Sequence, residues 1–245
     1  MSYLQISPSI LNSFLNLKTG KYKEWGKGPE HFISEILHPK RTNKLMSRGK
    51  AYGLLFEHGP ERYGRKTITP DDASSKDGAV TEYVPTDDPD TYIVHEPEGD
   101  ITWKFTPAVV APVIEFRGTN PSAVYELPAK LDFIIDGQRV VSRMKLDAVS
   151  GLHGYEFKTS NNEKEYMDRW PSAQKDLYMM AFPEMVDLTY GEFQFMKRGR
   201  TVRPVYRTYL PWAGMEAHIS GLMRDCVRWL QNYPEVIKFR TRDEE

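Results

Sequence analysis

Residues 123–160 limit the fold of this chain most strongly, because they contain three apolar runs separated by two turns. The runs read AVYELPAKLDFII, QRVVSRMKLDAVS and YEFKTS, and the turns are Asp136-Gly137 and Gly151 to Gly154. An Asp-Gly pair between two alternating runs is typical of a two-residue β-hairpin. The stretch therefore predicts three strands in an antiparallel meander.

Acidic and basic side chains gather near the second turn of this meander. Side chains alternate between the faces of a strand, so Glu156 and Lys158 point the same way and Phe157 turns into the packed side. Asp147 and Glu126 lie on the neighbouring strands. Two carboxylates can hold a hard divalent cation, and a lysine can stabilise the charge that develops when water attacks a phosphodiester. An exposed ion pair on a hairpin gives the same short pattern, so other segments must decide between the two interpretations.

Capping residues and apolar spacing predict helices on both sides of the strands. The predicted helices are Ser7 to Leu17, Pro29 to Leu37, Asn43 to His58, a helix that starts at Trp170-Pro171-Ser172 and ends before Pro183, and Gly214 to Asn232. Gly49 and Gly53 share one face of the third helix. Glycine costs about 1 kcal/mol in a helix interior, so this face is expected to meet a backbone or a ligand closely.

Residues 59–105 are predicted to form a long, acidic excursion with two or three edge strands, in TYIVHE and ITWKF. Residues 70–100 contain ten acidic residues and one basic residue, whereas the net charge of the whole chain is -1. The rest of the chain is therefore basic, which is compatible with a polyanionic partner. The next segment, Pro107 to Phe116, has too many prolines to predict a long helix.

A second predicted hairpin carries a cluster of basic residues. Its strands are Leu188 to Met196 and Arg203 to Leu210, and the turn between them reads KRGRT. The candidate nucleic-acid-binding residues of this hairpin are Lys197, Arg198, Arg200 and Arg203. Such a turn could follow a phosphate backbone, although solvated charge is the commoner role of basic hairpins.

Two classes of protein are not expected from the composition. Cys226 is the single cysteine, so the chain cannot build a disulfide framework or a cysteine-ligated zinc or iron–sulfur site. No run approaches the roughly 20 apolar residues that a membrane-spanning helix needs. A cytoplasmic protein without a membrane partner is therefore expected.

Five segments, taken in order, resemble the RecB-like branch of the PD-(D/E)xK nucleases, which includes Cas4-like and many phage exonucleases. The segments are SPSILNSFL, GLLFEH, YELP, MKLD followed by EFK, and QKDLY. The resemblance implies a single nuclease domain over residues 1–245, with an N-terminal helical part at about 7–58 and an acidic insertion at about 59–105. The implied fold is α/β (α+β), a restriction-endonuclease-like core with a mixed central β-sheet flanked by helices.

The resemblance also implies a role for each candidate residue. Asp147, Glu156, His58 and the backbone carbonyl of Phe157 would bind one or two Mg²⁺ or Mn²⁺ ions, with Glu126 assisting indirectly or through water. Lys158 would orient the attacking water and stabilise charge, and Gln174 and Tyr178 would support this lysine or hold substrate phosphate. Met144 stands where the family often has glycine, and the cysteines of the iron–sulfur members are absent, so no such cluster is expected.

The function implied by the resemblance is a metal-dependent DNA exonuclease in recombination, repair or phage DNA metabolism, in the host cytoplasm if phage-encoded. Its hydrolysis would use water activated by the metal. Three alternatives stay open: a DNA-binding protein on a degenerate nuclease fold, Cas4-like endonucleolytic end-processing, and a β-rich interaction domain. DNA is the expected partner, and a strand-annealing or recombination protein and a homo-oligomer also remain open.

Overall fold

The computed structural model describes residues 2–39, 43–63, 91–98, 100–160, 172–196 and 199–243. These residues form a mixed α/β fold with a mixed central sheet flanked by helices. The strands are β1 Ser2–Gln5, β2 Tyr92–Glu96, β3 Ile101–Phe105, β4 Val124–Ile135, β5 Gln138–Ser150, β6 His153–Ser160, β7 Asp187–Met196, β8 Thr201–Tyr209 and β9 Thr241–Asp243. The helices are α1 Pro8–Lys18, α2 Lys21–Glu24, α3 Pro29–Leu37, α4 Lys44–His58, α5 Pro60–Tyr63, α6 Pro107–Thr119, α7 Ser172–Ala181, α8 Met215–Leu230 and α9 Pro234–Arg240. Among the described residues, no helix is long and apolar enough to cross a membrane.

The long strand β5 organises the central sheet, whose order is β8-β7-β6-β5-β1-β9 with β4 also paired to β5. β4 pairs antiparallel with β5 from Val124 opposite Val149 to Ile135 opposite Gln138, on either side of the Asp136-Gly137 turn. β5 also pairs antiparallel with β6, so the predicted meander is confirmed. This second pairing covers residues 148–150 and 153–155, while β1 pairs with β5 at residues 140–141.

Outside the short stretch in which they pair with each other, β5 and β6 pair with different strands. β6 runs parallel to β7 from His153 opposite Asp187 to Ser160 opposite Gln194, and α7 lies between these two strands in sequence. Parallel strands need such a crossover, and a helix commonly provides it. The predicted β7–β8 hairpin is confirmed, but the parallel pairings of β6 with β7 and β1 with β5 had no signal in the sequence.

The described residues form two apolar cores on opposite faces of the sheet. Successive side chains of β7 point to opposite faces, so this strand contributes to both. The α7-side core contains Leu188 and Tyr190 of β7 together with residues of β1, β5, α1, α3, α7 and α8. The α4-side core contains Phe193 and Phe195 of β7 together with residues of α4, α6, β2 and β3. β7 therefore belongs to both cores.

The segment before the meander differs from the sequence prediction. Pro107 to Thr119 form a helix of 13 residues with Pro112 inside it, although the prolines argued against a long helix. Pro107 is at the first turn, where a missing N–H costs little, and the internal proline costs one backbone hydrogen bond. Val109, Val113 and Phe116 are buried in the α4-side core, and this burial offsets the loss. The two strands predicted in TYIVHE and ITWKF form a separate two-stranded sheet.

Candidate active site

The candidate site lies where β5 and β6 separate. The residue pair of this hairpin farthest from its turn is Ala148 opposite Tyr155, and the next residues away from the turn are Asp147 on β5 and Glu156 on β6. The backbone N–H of Phe157 donates to Asp147 Oδ2 at 2.6 Å, which ties the two strands together beyond their ladder. The Phe157 ring stacks on Phe56 of α4 with centroids 4.1 Å apart, as predicted for a residue that turns into the packed side. The backbone of residue 157 is thereby fixed beside both carboxylates.

Glu156 is the centre of a hydrogen-bond network on the other face of β6. It is 2% exposed, and its Oε1 accepts from Lys158 Nζ and, at 3.2 Å, from Gln174 Nε2. Gln174 Nε2 also donates to Tyr178 Oη at 3.1 Å, and this hydroxyl donates to the Lys145 carbonyl at 2.9 Å. The last bond reaches β5 between the stretches that pair with β6 and with β1. The structure thus brings Gln174 and Tyr178 to the acidic strands.

The position of α7 is set by a residue that the sequence did not single out. Asn12 of α1 is buried, and its Oδ1 accepts from the backbone N–H of Gln174 at 3.0 Å. This N–H lies in the first turn of α7, where backbone donors have no partner within the helix. A side-chain oxygen from α1 therefore caps α7 and positions Gln174 over Glu156.

Burial and like charge shape the electrostatics of the site. Burial raises the pKa of Asp147 to about 7, and the negative charge of Glu156 adds to this rise. Burial lowers the pKa of Lys158, but the carboxylates of Glu156 and Asp147 outweigh it and hold the pKa above its usual value. The lysine therefore remains a cation beside two carboxyl groups, one of which ionises only near neutral pH.

An open cavity of about 590 Å³ adjoins these residues. Asp147, Phe157 and Lys158 line it together with residues of α4, β2 and β4, among them Gly49, Lys50, Gly53, Glu96, Tyr125 and Glu126. Glu126 of β4 lies between the residues that pair with Ala148 and Leu146, and is thus next to Asp147 of β5. It has a left-handed φ of 58° and forms an ion pair with Lys145. The predicted site residues Glu126, Asp147 and Lys158 therefore share one cavity wall.

His58 ends α4, but its neighbour Glu57 is the residue that the structure places in the cavity lining. His58 Nε2 lies 3.7 Å from Glu57 Oε1. Successive residues of a helix point about 100° apart, so adjacent side chains cannot share one direction. Glu57 is thus a further candidate residue. The sequence marks it only as an acidic residue directly before the histidine of GLLFEH. Metal ligation by His58 stays a prediction.

The predicted basic hairpin is only partly described. Arg203 donates from Nε to Gln194 Oε1 at 2.9 Å, and the Arg200 carbonyl accepts from Thr106 Oγ1 at 3.3 Å. Lys197 and Arg198 lie outside the described residues, as do residues 64–90 of the predicted acidic insertion. Nucleic-acid binding by this hairpin stays a prediction.

The donor atoms at the site fit a hard divalent cation. Glu156 Oε2 is buried and has no hydrogen-bond partner within the described ranges, and Asp147 stands beside it as a second carboxylate. Together with the Phe157 carbonyl they form an oxygen donor set of the kind that Mg²⁺ and Mn²⁺ take. In the described part of the chain, no three His, Cys, Asp or Glu side chains already form a metal-binding group.

Comparisons with known proteins add little to this geometry. No family model matches the chain, and no curated protein matches it. One solved structure, described as "Crystal structure of SSO0001", is similar over 50% of this chain and 57% of that chain, with 19% sequence identity and a TM-score of 0.38. A similarity of this size carries no argument about fold or function.

Proposed function

We propose that this protein is a metal-dependent nuclease that hydrolyses phosphodiester bonds in DNA, built on a PD-(D/E)xK core and acting as an exonuclease. The observation that carries the proposal is the cluster of Asp147, Glu156 and Lys158 where β5 and β6 separate: Asp147 and Lys158 line one cavity, and Lys158 forms an ion pair with the buried Glu156. Two carboxylates and a lysine provide the ligands and the cation that phosphodiester hydrolysis requires.

Asp147, Glu156 and the Phe157 carbonyl would hold the metal ion, which supplies Lewis-acid polarisation of the phosphoryl group. Lys158 is charged and close to both carboxylates, so it can orient water and stabilise negative charge on the phosphoryl oxygens. Gln174 holds Glu156 in place, and Tyr178 fixes Gln174 to the β5 backbone. The reaction consumes one water, breaks one P–O ester bond, and leaves a phosphate monoester and a free hydroxyl.

Digestion of end-labelled linear DNA with Mg²⁺ or Mn²⁺ tests this proposal. The wild type is expected to release labelled products, and Asp147→Asn and Lys158→Ala are each expected to lower the rate by about 100-fold or more. Lys238→Ala is the matched control, because this exposed lysine lies on α9, away from the cavity. Its rate should equal that of the wild type.

Closed circular DNA distinguishes exonuclease activity from endonucleolytic cleavage. An exonuclease needs an end and leaves this substrate intact, whereas endonucleolytic processing cuts it. Equal activity of the wild type, Asp147→Asn and Lys158→Ala would overturn the assignment. DNA retention without any metal-dependent product would indicate a binding protein on a degenerate nuclease fold.

A further inference from the structure

The side chain of Arg48 on α4 packs against aromatic rings. Its guanidinium carbon is 4.1 Å from the ring centroid of Phe195 on β7 and 5.9 Å from that of Trp103 on β3. Its neighbours in sequence, Gly49 and Lys50, line the cavity. Cations over aromatic faces are held by the ring quadrupole, and a planar guanidinium also stacks on the ring. The side chain is thus oriented before any ligand arrives.

The surroundings of Arg48 are themselves anchored. Trp103 Nε1 donates to Ser47 Oγ at 3.0 Å, so the indole is tied to α4 next to the arginine. On the other side, a Cβ added to Gly199 would come within 2.9 Å of Arg48 Nη1. Gly199 belongs to the β7–β8 turn that carries the candidate DNA-binding residues. The Arg48 guanidinium therefore lies next to Gly199, while the α4 residues that follow Arg48 line the cavity.

The guanidinium of Arg48 has its donors free within the described ranges, where no carboxylate pairs with it and no acceptor binds it. Other arginines of the chain are engaged: Arg139 bonds Asp132, and Arg228 forms two bonds to Asp136. Burial lowers the pKa of Arg48, so its environment disfavours an uncompensated charge. A half-buried arginine with unused donors is suited to an anion from outside the chain.

We propose that Arg48 is a phosphate-binding residue that holds the backbone of a nucleic-acid strand between the cavity and Gly199. The inference rests on the proposed nuclease function and adds a substrate contact to it. The guanidinium fork matches two phosphate oxygens, and the Phe195 and Trp103 rings keep its plane fixed. A phosphate contact of this kind positions a strand without reading its sequence.

Fluorescence anisotropy with a labelled single strand of about 20 nucleotides tests this contact. The assay contains EDTA, so metal-dependent cleavage takes no part in the measurement. Arg48→Gln is expected to weaken binding about tenfold. It should also lower the slope of log affinity against log salt concentration by about 0.7, the value for one lost phosphate contact on a single strand.

Arg224→Gln is the matched control, because it removes the same charge from an exposed position on α8. Its affinity should equal that of the wild type, and equal unfolding temperatures should show that all variants are folded. Arg48→Lys keeps the charge but loses the planar fork, so its affinity should lie between those of the wild type and Arg48→Gln. If Arg48→Gln does not fold, Arg48→Lys decides alone by binding more weakly than the wild type.

Wild-type affinity and salt slope in Arg48→Gln, or in a folded Arg48→Lys when the glutamine variant does not fold, would overturn the inference. An equal loss in Arg224→Gln would overturn it as well, because it would show a general effect of net charge. These outcomes are separate from a failure of the nuclease proposal, which would appear as missing cleavage in the digestion assay.

Discussion

Asn12 shows how a single buried side chain supports the candidate site from a distance. It lies on α1 among apolar neighbours, and its amide oxygen accepts the Gln174 N–H at the start of α7. Gln174 in turn donates to Glu156 at 3.2 Å. Loss of this bond would leave a buried acceptor, the Asn12 amide oxygen, unsatisfied on α1 and a backbone donor, the Gln174 N–H, unsatisfied on α7. The site is therefore sensitive to a residue that does not line the cavity.

Asn12→Ala is expected to lower the free energy of unfolding by about 1 kcal/mol, as the loss of a helix cap usually does. The cleavage rate should also fall, because Gln174 loses its fixed position over Glu156. Urea unfolding followed by circular dichroism gives the first quantity and end-labelled DNA digestion the second. Asn16→Ala on the same helix is the control and should change neither. Wild-type stability and activity in Asn12→Ala would show that α7 needs no cap from α1.

The residues of the site differ in how far the sequence could predict them. Glu156, Phe157 and Lys158 follow from strand alternation, which is a local rule. Asn12 contacts Gln174 across 162 positions, and no local pattern reports such a contact. Glu57 was missed because the face of α4 that meets the cavity depends on how this helix packs on the sheet, which the sequence does not show.

The helix α4 carries two glycines whose surroundings differ. A Cβ at Gly49 would lie 2.5 Å from Thr159 Oγ1, whereas a Cβ at Gly53 would meet no atom within 4 Å. Both glycines line the cavity. At Gly49 the close neighbour is the side chain of Thr159 at the end of β6, whereas the sequence predicted a backbone or a ligand.

Gly53→Ala is expected to raise the free energy of unfolding by about 0.5–1 kcal/mol, because alanine is the better helix former. Gly49→Ala is expected to lower it, because the added methyl group meets a β-branched side chain with restricted rotation. Chemical denaturation of the two variants measures the difference on one helix. Adding Thr159→Ala to Gly49→Ala should restore the free energy of unfolding that Gly49→Ala loses. Equal gains in both glycine variants would contradict the close contact.

At the scale of elements, the sequence predicted pairings between neighbours and missed pairings between distant segments. The β4–β5 and β7–β8 hairpins follow from turn residues and alternation, which act over a few positions. β1 pairs with β5 across more than a hundred residues, and its four residues Ser2–Gln5 are too few to give a pattern. The helix α6 was missed because burial of its apolar residues outweighs the cost of Pro112.

At the scale of the whole molecule, the two cores share the strand β7. Its even-numbered residues Leu188 and Tyr190 are in the α7-side core, and its odd-numbered residues Phe193 and Phe195 are in the α4-side core. The candidate residues at the cavity lie on β4, β5 and β6 and on helices from both faces. Packing on each face therefore affects the same strands, and the single domain predicted from the sequence should unfold as one unit.

Cys226 offers a test of this cooperativity, because it is fully buried in the α7-side core and burial raises the pKa of its thiol. A thiol reagent should label it only on unfolding. Phe193→Leu, in the α4-side core, is expected to lower the free energy of unfolding by about 1–2 kcal/mol. The denaturant midpoint for Cys226 labelling should then fall together with the midpoint from circular dichroism. Phe239→Ala, at a position that is 40% exposed, should leave both midpoints in place. If Phe193→Leu shifts the dichroism but not the labelling of Cys226, the two faces of the sheet unfold independently and the prediction of one domain is wrong.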